Sequence, residues 1–236
     1  MPWRWIAPIT APAATQMAID RWMLQQLLAG GPPMLRLYRW SRPALSLGRH
    51  QQRWPAQWRD EPLELVRRPS GGRAVLHAGE LTYALAFTPQ TRDREAVYRH
   101  CCQWLQQALA NAGEPLQFGQ ASPAAAAQRS SCFATATAAD LVTARGAKRI
   151  GSAQLWHGPA LLQHGSLLLD PPAALWQRLF QADPPALAPL PWGREALEQQ
   201  LREAAEEHLC TEGLISEPLS PEEWAAVRVL EPLSRV

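Results

Sequence analysis

Lysine is almost missing from this chain: of its 23 Lys and Arg residues, only Lys148 is a lysine. Arg and Ala are abundant, as in a chain whose codons drift toward arginine. Such a drift removes surface lysines, because either residue serves as a solvated cation. A lysine that remains is either a leftover or sits where a compact, proton-exchanging cation is needed. The arginine fork is planar and effectively never loses its proton. The residues around Lys148 must decide between the two readings.

Other absences exclude whole classes. No apolar run approaches the roughly 20 residues of a membrane span. The opening stretch MPWRWIAPITAPAATQ has no sustained apolar segment, so no secretory signal is expected. A cytoplasmic protein follows as the expectation. The net charge is only +2 and the basic residues are scattered, which argues against a nucleic-acid binder. There is no C-x-x-C pair among Cys101, Cys102, Cys132 and Cys210, so neither a zinc site nor a disulfide framework is expected. Neither a Walker loop nor a G-x-G-x-x-G fingerprint occurs, and there is no internal repeat.

What is present suits one large domain, or a domain with a small appendage. The 47% hydrophobic content is that of a folded core. Residues 13–29 carry helical apolar spacing, closed by Gly30-Gly31 and Pro32-Pro33. MLRLYRW and ALSLG read as two strands joined by a Ser-Arg-Pro turn, and ELVRR, AVLH and LTYALAF as three more. Residues 93–112 read as a long amphipathic helix, and 121–131 as a small-residue loop. DLVTAR, KRIGSAQLWH and ALLQHGSLLLD follow as a three-strand meander. WQRLF opens a short helix. A Pro-rich connector then leads to REALEQQLREAAEEHL and to a last helix opened by Ser220-Pro221. This order predicts an α/β (α+β) domain with a mixed, largely antiparallel sheet flanked by helices. The expected division is a catalytic domain over 1–183 and a helical C-terminal extension over 184–236, packed on the same domain.

Four short segments carry candidate chemistry. In RRPSGGRAVLH, Ser70, Gly71 and Gly72 join two strands, and consecutive N–H groups in such a turn can cradle an anion. Arg67, Arg68 and Arg73 flank the turn and could grip a phosphate or carboxylate. The bland reading is a Gly-rich hairpin with solvated arginines. In KRIGSAQ, Gly151, Ser152 and Ala153 leave open space above a strand, just after Lys148. In LLQHGSLLLD, His164 and Gly165 sit mid-strand. A glycine there signals close approach by a ligand or by backbone, and His164 reads as a general base or as a satisfied core histidine. In SSCF, Cys132 differs from Cys101, Cys102 and Cys210, which suit packed, inert thiols. A neighbouring cation favours the reactive thiolate, and Lys148 could supply it from an adjacent strand. Cys132 could equally be a small buried hydrophobe.

The succession RRPSGGRAVLHAGELTYAL, SSCF, DLVTARGAKRIGSAQ, LLQHGSLLLD resembles the lipoate/biotin protein ligase catalytic-domain superfamily. AIDRWML and LRLYRWSRPALSLGRHQ fit its opening helix and strands, so the resemblance spans residues 3–180. The cysteine–phenylalanine pair upstream of the lysine looks like the ligase-like octanoyl-[acyl carrier protein]:protein N-octanoyltransferases. That resemblance implies Cys132 as the acyl-bearing nucleophile and Lys148 as its partner. The expected substrate-binding residues are Arg68, Ser70, Gly71, Gly72, Arg73, Ala74, Val75, His77, Gly151, Ser152, Ala153, His164 and Gly165, with no metal ligand. Backbone N–H groups near Ser70–Arg73 or Gly151–Ala153 would stabilise the oxyanion. The implied partners are acyl carrier protein as octanoyl donor and a lipoyl-domain protein, such as the glycine-cleavage H protein, as acceptor. No nucleic acid or membrane is implied, and a monomer is expected. No cofactor is then required.

The alternative within the superfamily is an ATP-dependent lipoate–protein ligase, which would need ATP and Mg. Three departures lean against it. Ala138-Ala139-Asp140 stands where ligases show Arg-Asn-Asp, Arg73 where they show a third glycine, and His77-Ala78 where they show His-Asp. The tail after residue 193 is also too short for a large accessory domain. One departure leans the other way: positions 132 and 148 lie 16 apart, one residue more than the transferase pattern. A non-enzymatic lipoyl-domain or acyl-carrier binding module is the rival from another class, with the acidic helix 195–207 as its docking face.

Overall fold

The structure, a computed structural model, describes residues 1–119 and 140–236. Cys132 lies outside the described residues. Among them, β1 (Trp3–Ala11), β2 (Met34–Trp40), β6 (Glu80–Phe87), β7 (Gln117–Phe118), β8 (Leu141–Val142), β9 (Lys148–His157), β10 (Ala160–Leu168) and β11 (Leu214–Ser216) form one sheet, in the order β11-β1-β2-β6-β10-β9-β8-β7. β3 (Ala44–Leu47), β4 (Glu64–Arg67) and β5 (Val75–His77) form a second sheet, in the order β4-β3-β5. β1 runs parallel to both β2 and β11, and every other pair in the large sheet is antiparallel. The expected mixed, largely antiparallel sheet flanked by helices is what forms.

The helix α1 (Ala13–Leu28) arises from the apolar spacing of Met17, Ile19, Trp22 and Met23, all buried against Ala84, Ala86 and Leu162 of the sheet. Burial of each such side chain contributes about 1.5–3 kcal/mol. Gly30, at φ +90°, ends the helix region in a conformation that favours glycine. On the other face, α2 (Arg94–Asn111) and α4 (Arg194–His208) pack Trp104, Leu105, Leu197 and Leu201 over Leu35, Leu85 and Leu161. Asp93 caps α2 by accepting from the N–H groups of Glu95 and Ala96. α3 (Ala173–Phe180) covers the small sheet, with Trp176 and Leu179 against Leu45, Leu47 and Leu76. α5 (Pro221–Leu230) starts with a full capping box, Ser220 with Glu223, and lays Val227 and Leu230 beside α1.

Four local readings change. The turn Ser41-Arg42-Pro43 carries the chain out of the large sheet into the small one rather than closing a hairpin. The loop 68–74 is not a hairpin either. β4 and β5 lie on opposite edges of β3, so the loop passes over the end of that strand. DLVTAR supplies only two strand residues, Leu141 and Val142. β1 and β11 had no sequence reading. Cys101, Cys102 and Cys210 are buried, and burial pushes the Cys102 and Cys210 thiols up to about 12, which leaves them inert. No helix among the described residues is long and apolar enough to cross a membrane.

Candidate active site

β9 and β10 form a hairpin around Gly158-Pro159, and their register sets Gly151 opposite Ser166 and Ala153 opposite His164. The small side chains of β9 thus leave room beside the imidazole, as their composition suggests. The small sheet closes over this place. Together they enclose a cleft of about 30 Å³ lined by Met17, Tyr38, Thr82, Gly151, Ser152, Ala153, His164, Gly165 and Ser166 on one side and Ser46, Arg68, Val75 and His77 on the other. Eight of the expected binding residues meet there: Arg68, Val75, His77, Gly151, Ser152, Ala153, His164 and Gly165. The cavity has space for a water molecule and little more.

The loop from Ser70 to Arg73 owes its shape to arginine. The buried Arg68 guanidinium donates to the carbonyls of Ser46 (2.8 Å), Gly71 (2.7 Å) and Arg73 (2.6 Å). Arg67 donates to the carbonyls of Gly48 and Gln51, each at 2.9 Å. These two arginines, expected to face an anion, tie the loop to its scaffold. Gly72 takes φ +94° and rests on Gly48, where an added Cβ would lie 1.9 Å from the Gly72 oxygen. Ala74 is fully buried at the loop's end. Gly165 is required for a similar reason: its Cβ would meet the Tyr83 ring at 2.6 Å and the Gly151 carbonyl oxygen at 2.7 Å. The close approach at Gly165 is therefore made by protein atoms.

Two histidines face the cleft, each between a serine and a carboxylate. His77 Nε2 lies 2.8 Å from Ser46 Oγ and its Nδ1 2.6 Å from Glu80 Oε1, with Trp40 stacked on the ring at 3.9 Å. His164 Nε2 lies 2.5 Å from Ser70 Oγ and its Nδ1 2.7 Å from Asp20 Oδ2. Asp20 is fully buried on α1 and also accepts from Arg36 (2.6 Å) and Tyr38 (3.2 Å) of β2. Burial pushes its carboxyl up, but the Arg36 charge and the His164 hydrogen bond more than offset this and hold it below the usual carboxylate range. An ionised Asp20 can only accept, so Nδ1 of His164 carries a proton and Nε2 accepts from the Ser70 hydroxyl.

Sequence reading passed over Asp20, Arg36, Tyr38, Ser46 and Glu80. The available signal was a charge inside an apolar pattern, as in AIDRWML and LRLYRW, because a buried charge requires a partner. Asp20→Asn is expected to cost about 3–5 kcal/mol, since it leaves the buried Arg36 uncompensated. Because the folded-state value of Asp20 lies below its unfolded value, its contribution is complete above about pH 4 and lost as pH falls further, through the folded value. Urea unfolding at neutral pH should show the full gap between variant and wild type, and unfolding in acid a smaller one.

Lys148 opens β9, three residues before Gly151, and is itself buried. Its Nζ lies 2.9 Å from Oδ1 of Asp140, with both side chains 3% exposed. Asp140 entered the sequence reading only as the residue left of an absent Arg-Asn-Asp motif. In the structure it is the lysine's counter-ion.

The two-sheet layout is a fold also seen in solved lipoate protein ligase structures. A T. acidophilum lipoate protein ligase structure with bound lipoic acid superimposes with a TM-score of 0.81 over 99% of this chain and 96% of that one, at 18% identity, a likeness of fold alone. The chain belongs to the lipoyl protein ligase A/B catalytic domain family, whose family model matches residues 12–186. Among its relatives, an octanoyltransferase LipM of Carboxydothermus hydrogenoformans is 35% identical over 71% of this chain and 65% of its own length. An octanoyltransferase LipM of Kyrpidia tusciae is 33% identical over 93% of this chain and 82% of its own length.

Proposed function

We propose that this chain is an octanoyltransferase of protein lipoylation, moving an octanoyl group through a Cys132 thioester onto a lysine of a lipoyl-domain protein. The observation that carries the reading is the buried Lys148–Asp140 pair at the head of β9, in a chain 31–35% identical to relatives named octanoyltransferase LipM. The donor is octanoyl–acyl carrier protein and the acceptor a protein such as the glycine-cleavage H protein. The Cys132 thiolate, with Lys148 as its chemical partner, attacks the donor thioester carbonyl. The carrier thiol leaves, and the acceptor lysine then takes the acyl group as an amide, a ping-pong sequence. No ATP or metal takes part. The enzyme works as a cytoplasmic monomer, and residues 184–236 serve as an extension of the catalytic domain. For the octanoyl chain to lie between the two sheets the small cleft beside Gly151 and Ala153 must widen, and Met17, with its three rotatable bonds, is a side chain that can move aside.

Intact mass spectrometry after mixing with octanoyl–acyl carrier protein, in the absence of ATP, tests the reading. A single hydroxylamine-labile octanoyl adduct is expected. No adduct, together with lipoate-dependent ATP–pyrophosphate exchange, would replace it with the ligase reading.

A further inference from the structure

Arginines that are scattered in the sequence are gathered by the fold beside the glycine loop. Arg21 leaves α1 and donates to the Leu233 carbonyl (3.3 Å) and to Ser234 Oγ (3.5 Å) of the closing turn Glu231–Ser234. Arg235, next in the chain, bridges to Val66 of β4. Arg67 follows Val66 and donates to the carbonyls of Gly48, Arg49 and Gln51. Arg49 in turn donates its backbone N–H to the Ser70 carbonyl at 2.8 Å. Burial and then the Arg49 charge lower the Arg21 guanidinium from its ordinary value, so these two cations lie in one another's field.

Four guanidinium groups from four parts of the chain thus border one surface. Among the described residues none of them takes a carboxylate as hydrogen-bond or ion-pair partner. The carboxylates packed nearby are engaged elsewhere: Asp20 by Arg36 and His164, Glu64 by the Ala13 N–H, Glu231 by the Thr15 hydroxyl. Like charges kept together repel, and a fold gains nothing from them on its own. Apolar side chains stand open beside them. Val229 is 75% and Leu233 60% exposed, one helical turn apart on the segment that meets Arg21. Neighbouring apolar side chains left open and rimmed by charge of one sign suit a protein partner.

We propose that this surface docks the octanoyl donor, an acidic acyl carrier protein, whose negative charges meet the arginines while its apolar side chains cover Val229 and Leu233. The inference rests on the octanoyltransferase reading and names where its donor binds.

Charge selects the donor over the acceptor. A carrier's acyl thioester hangs from an arm attached through a phosphodiester, so an anion always accompanies it, and guanidinium forks match phosphate. The acceptor brings a lysine ammonium, which the same four cations repel. A second copy of this chain would set like charges against each other. The position agrees with this choice: Arg49 is bonded to Ser70 and Arg67 precedes Arg68, which lines the cleft.

The test separates recognition of the carrier from the chemistry. Wild type and the double variant Arg49→Glu/Arg235→Glu are loaded from octanoyl–acyl carrier protein or from octanoyl–pantetheine, which offers the same thioester without phosphate or protein. The second-order rate of loading from the carrier is expected to fall about 10- to 100-fold in the variant, with loading from octanoyl–pantetheine unchanged. Added salt slows wild-type loading from the carrier and barely affects the variant. Equal falls with both donors, or no fall, overturn the inference. So does a larger fall in discharge onto glycine-cleavage H protein than in loading, which would assign the surface to the acceptor. Leu233→Ser gives the same comparison should the double variant fail to fold. Carrier binding, followed by fluorescence anisotropy, keeps the two readings apart. A wild type that binds the carrier more tightly than the variant does, yet takes up no octanoyl group, overturns the octanoyltransferase reading alone. Wild type and variant binding it alike overturns the surface.

Discussion

Cys132→Ala is expected to abolish octanoyl transfer, with neither an octanoyl adduct nor an octanoylated acceptor detectable. The expectation follows from the ping-pong sequence. If the sulfur carries the acyl group between donor and acceptor, no direct path joins the two proteins, and its loss removes the intermediate instead of slowing one step. The effect separates the two chemistries of the family's fold. An enzyme that activates lipoate as an adenylate attaches the acyl group to a phosphate and has no use for a thiol at this position. The variant should therefore fail completely with octanoyl–acyl carrier protein while keeping the unfolding transition of the wild type. Acceptor octanoylation followed by mass spectrometry gives the answer, and full activity in the variant would rule out the thioester. The other cysteines make the result clean. Cys101, Cys102 and Cys210 are buried, and their thiols are pushed up by burial, so none of them substitutes for Cys132.

Much of this arrangement is legible in the sequence, and the exceptions share a cause. KRIGSAQLWH and ALLQHGSLLLD read as strands because they are long and bounded by Gly158-Pro159, and they form β9 and β10. α1, α2 and α4 follow from sustained helical spacing. β1 was missed because Pro8 interrupts it: the pairing with β2 shifts register between Ile6 and Ile9, which destroys the alternation that marks a strand. β11 is three residues long and exists because it pairs with β1, a contact between the two ends of the chain that no local pattern encodes. The cleft shows the same division. The small residues of β9 and the glycine loop mark it locally. The partners of His164 do not, since Asp20 lies 144 residues away and reaches it only through the folded α1–sheet packing. The second role of Arg68 is hidden for a related reason. A flanking arginine reads as an anion ligand, and only the fold shows the loop's own carbonyls turned toward it.

Lys148→Arg is the second large effect, with an expected fall in transfer of about 100- to 10,000-fold. Charge is conserved in this variant, so a lysine kept merely as a leftover among 22 arginines would be replaced without consequence. The structure argues against indifference. Lys148 is 3% exposed, and its compact ammonium fits against Asp140 at 2.9 Å. A guanidinium is bulkier and planar, so it must either displace the pair or strain its surroundings, at a cost of roughly 1–3 kcal/mol. It also cannot pass a proton to a leaving thiolate, because it effectively never deprotonates. These two consequences separate experimentally. If fit alone matters, the unfolding midpoint drops and the remaining folded enzyme loses both half-reactions to a similar degree. If proton exchange matters, acyl-enzyme formation from octanoyl–acyl carrier protein slows far more than stability accounts for, and most where the departing sulfur needs a proton. Stopped-time adduct formation measured beside urea unfolding distinguishes the two, and wild-type turnover in Lys148→Arg would return the residue to the status of a remnant.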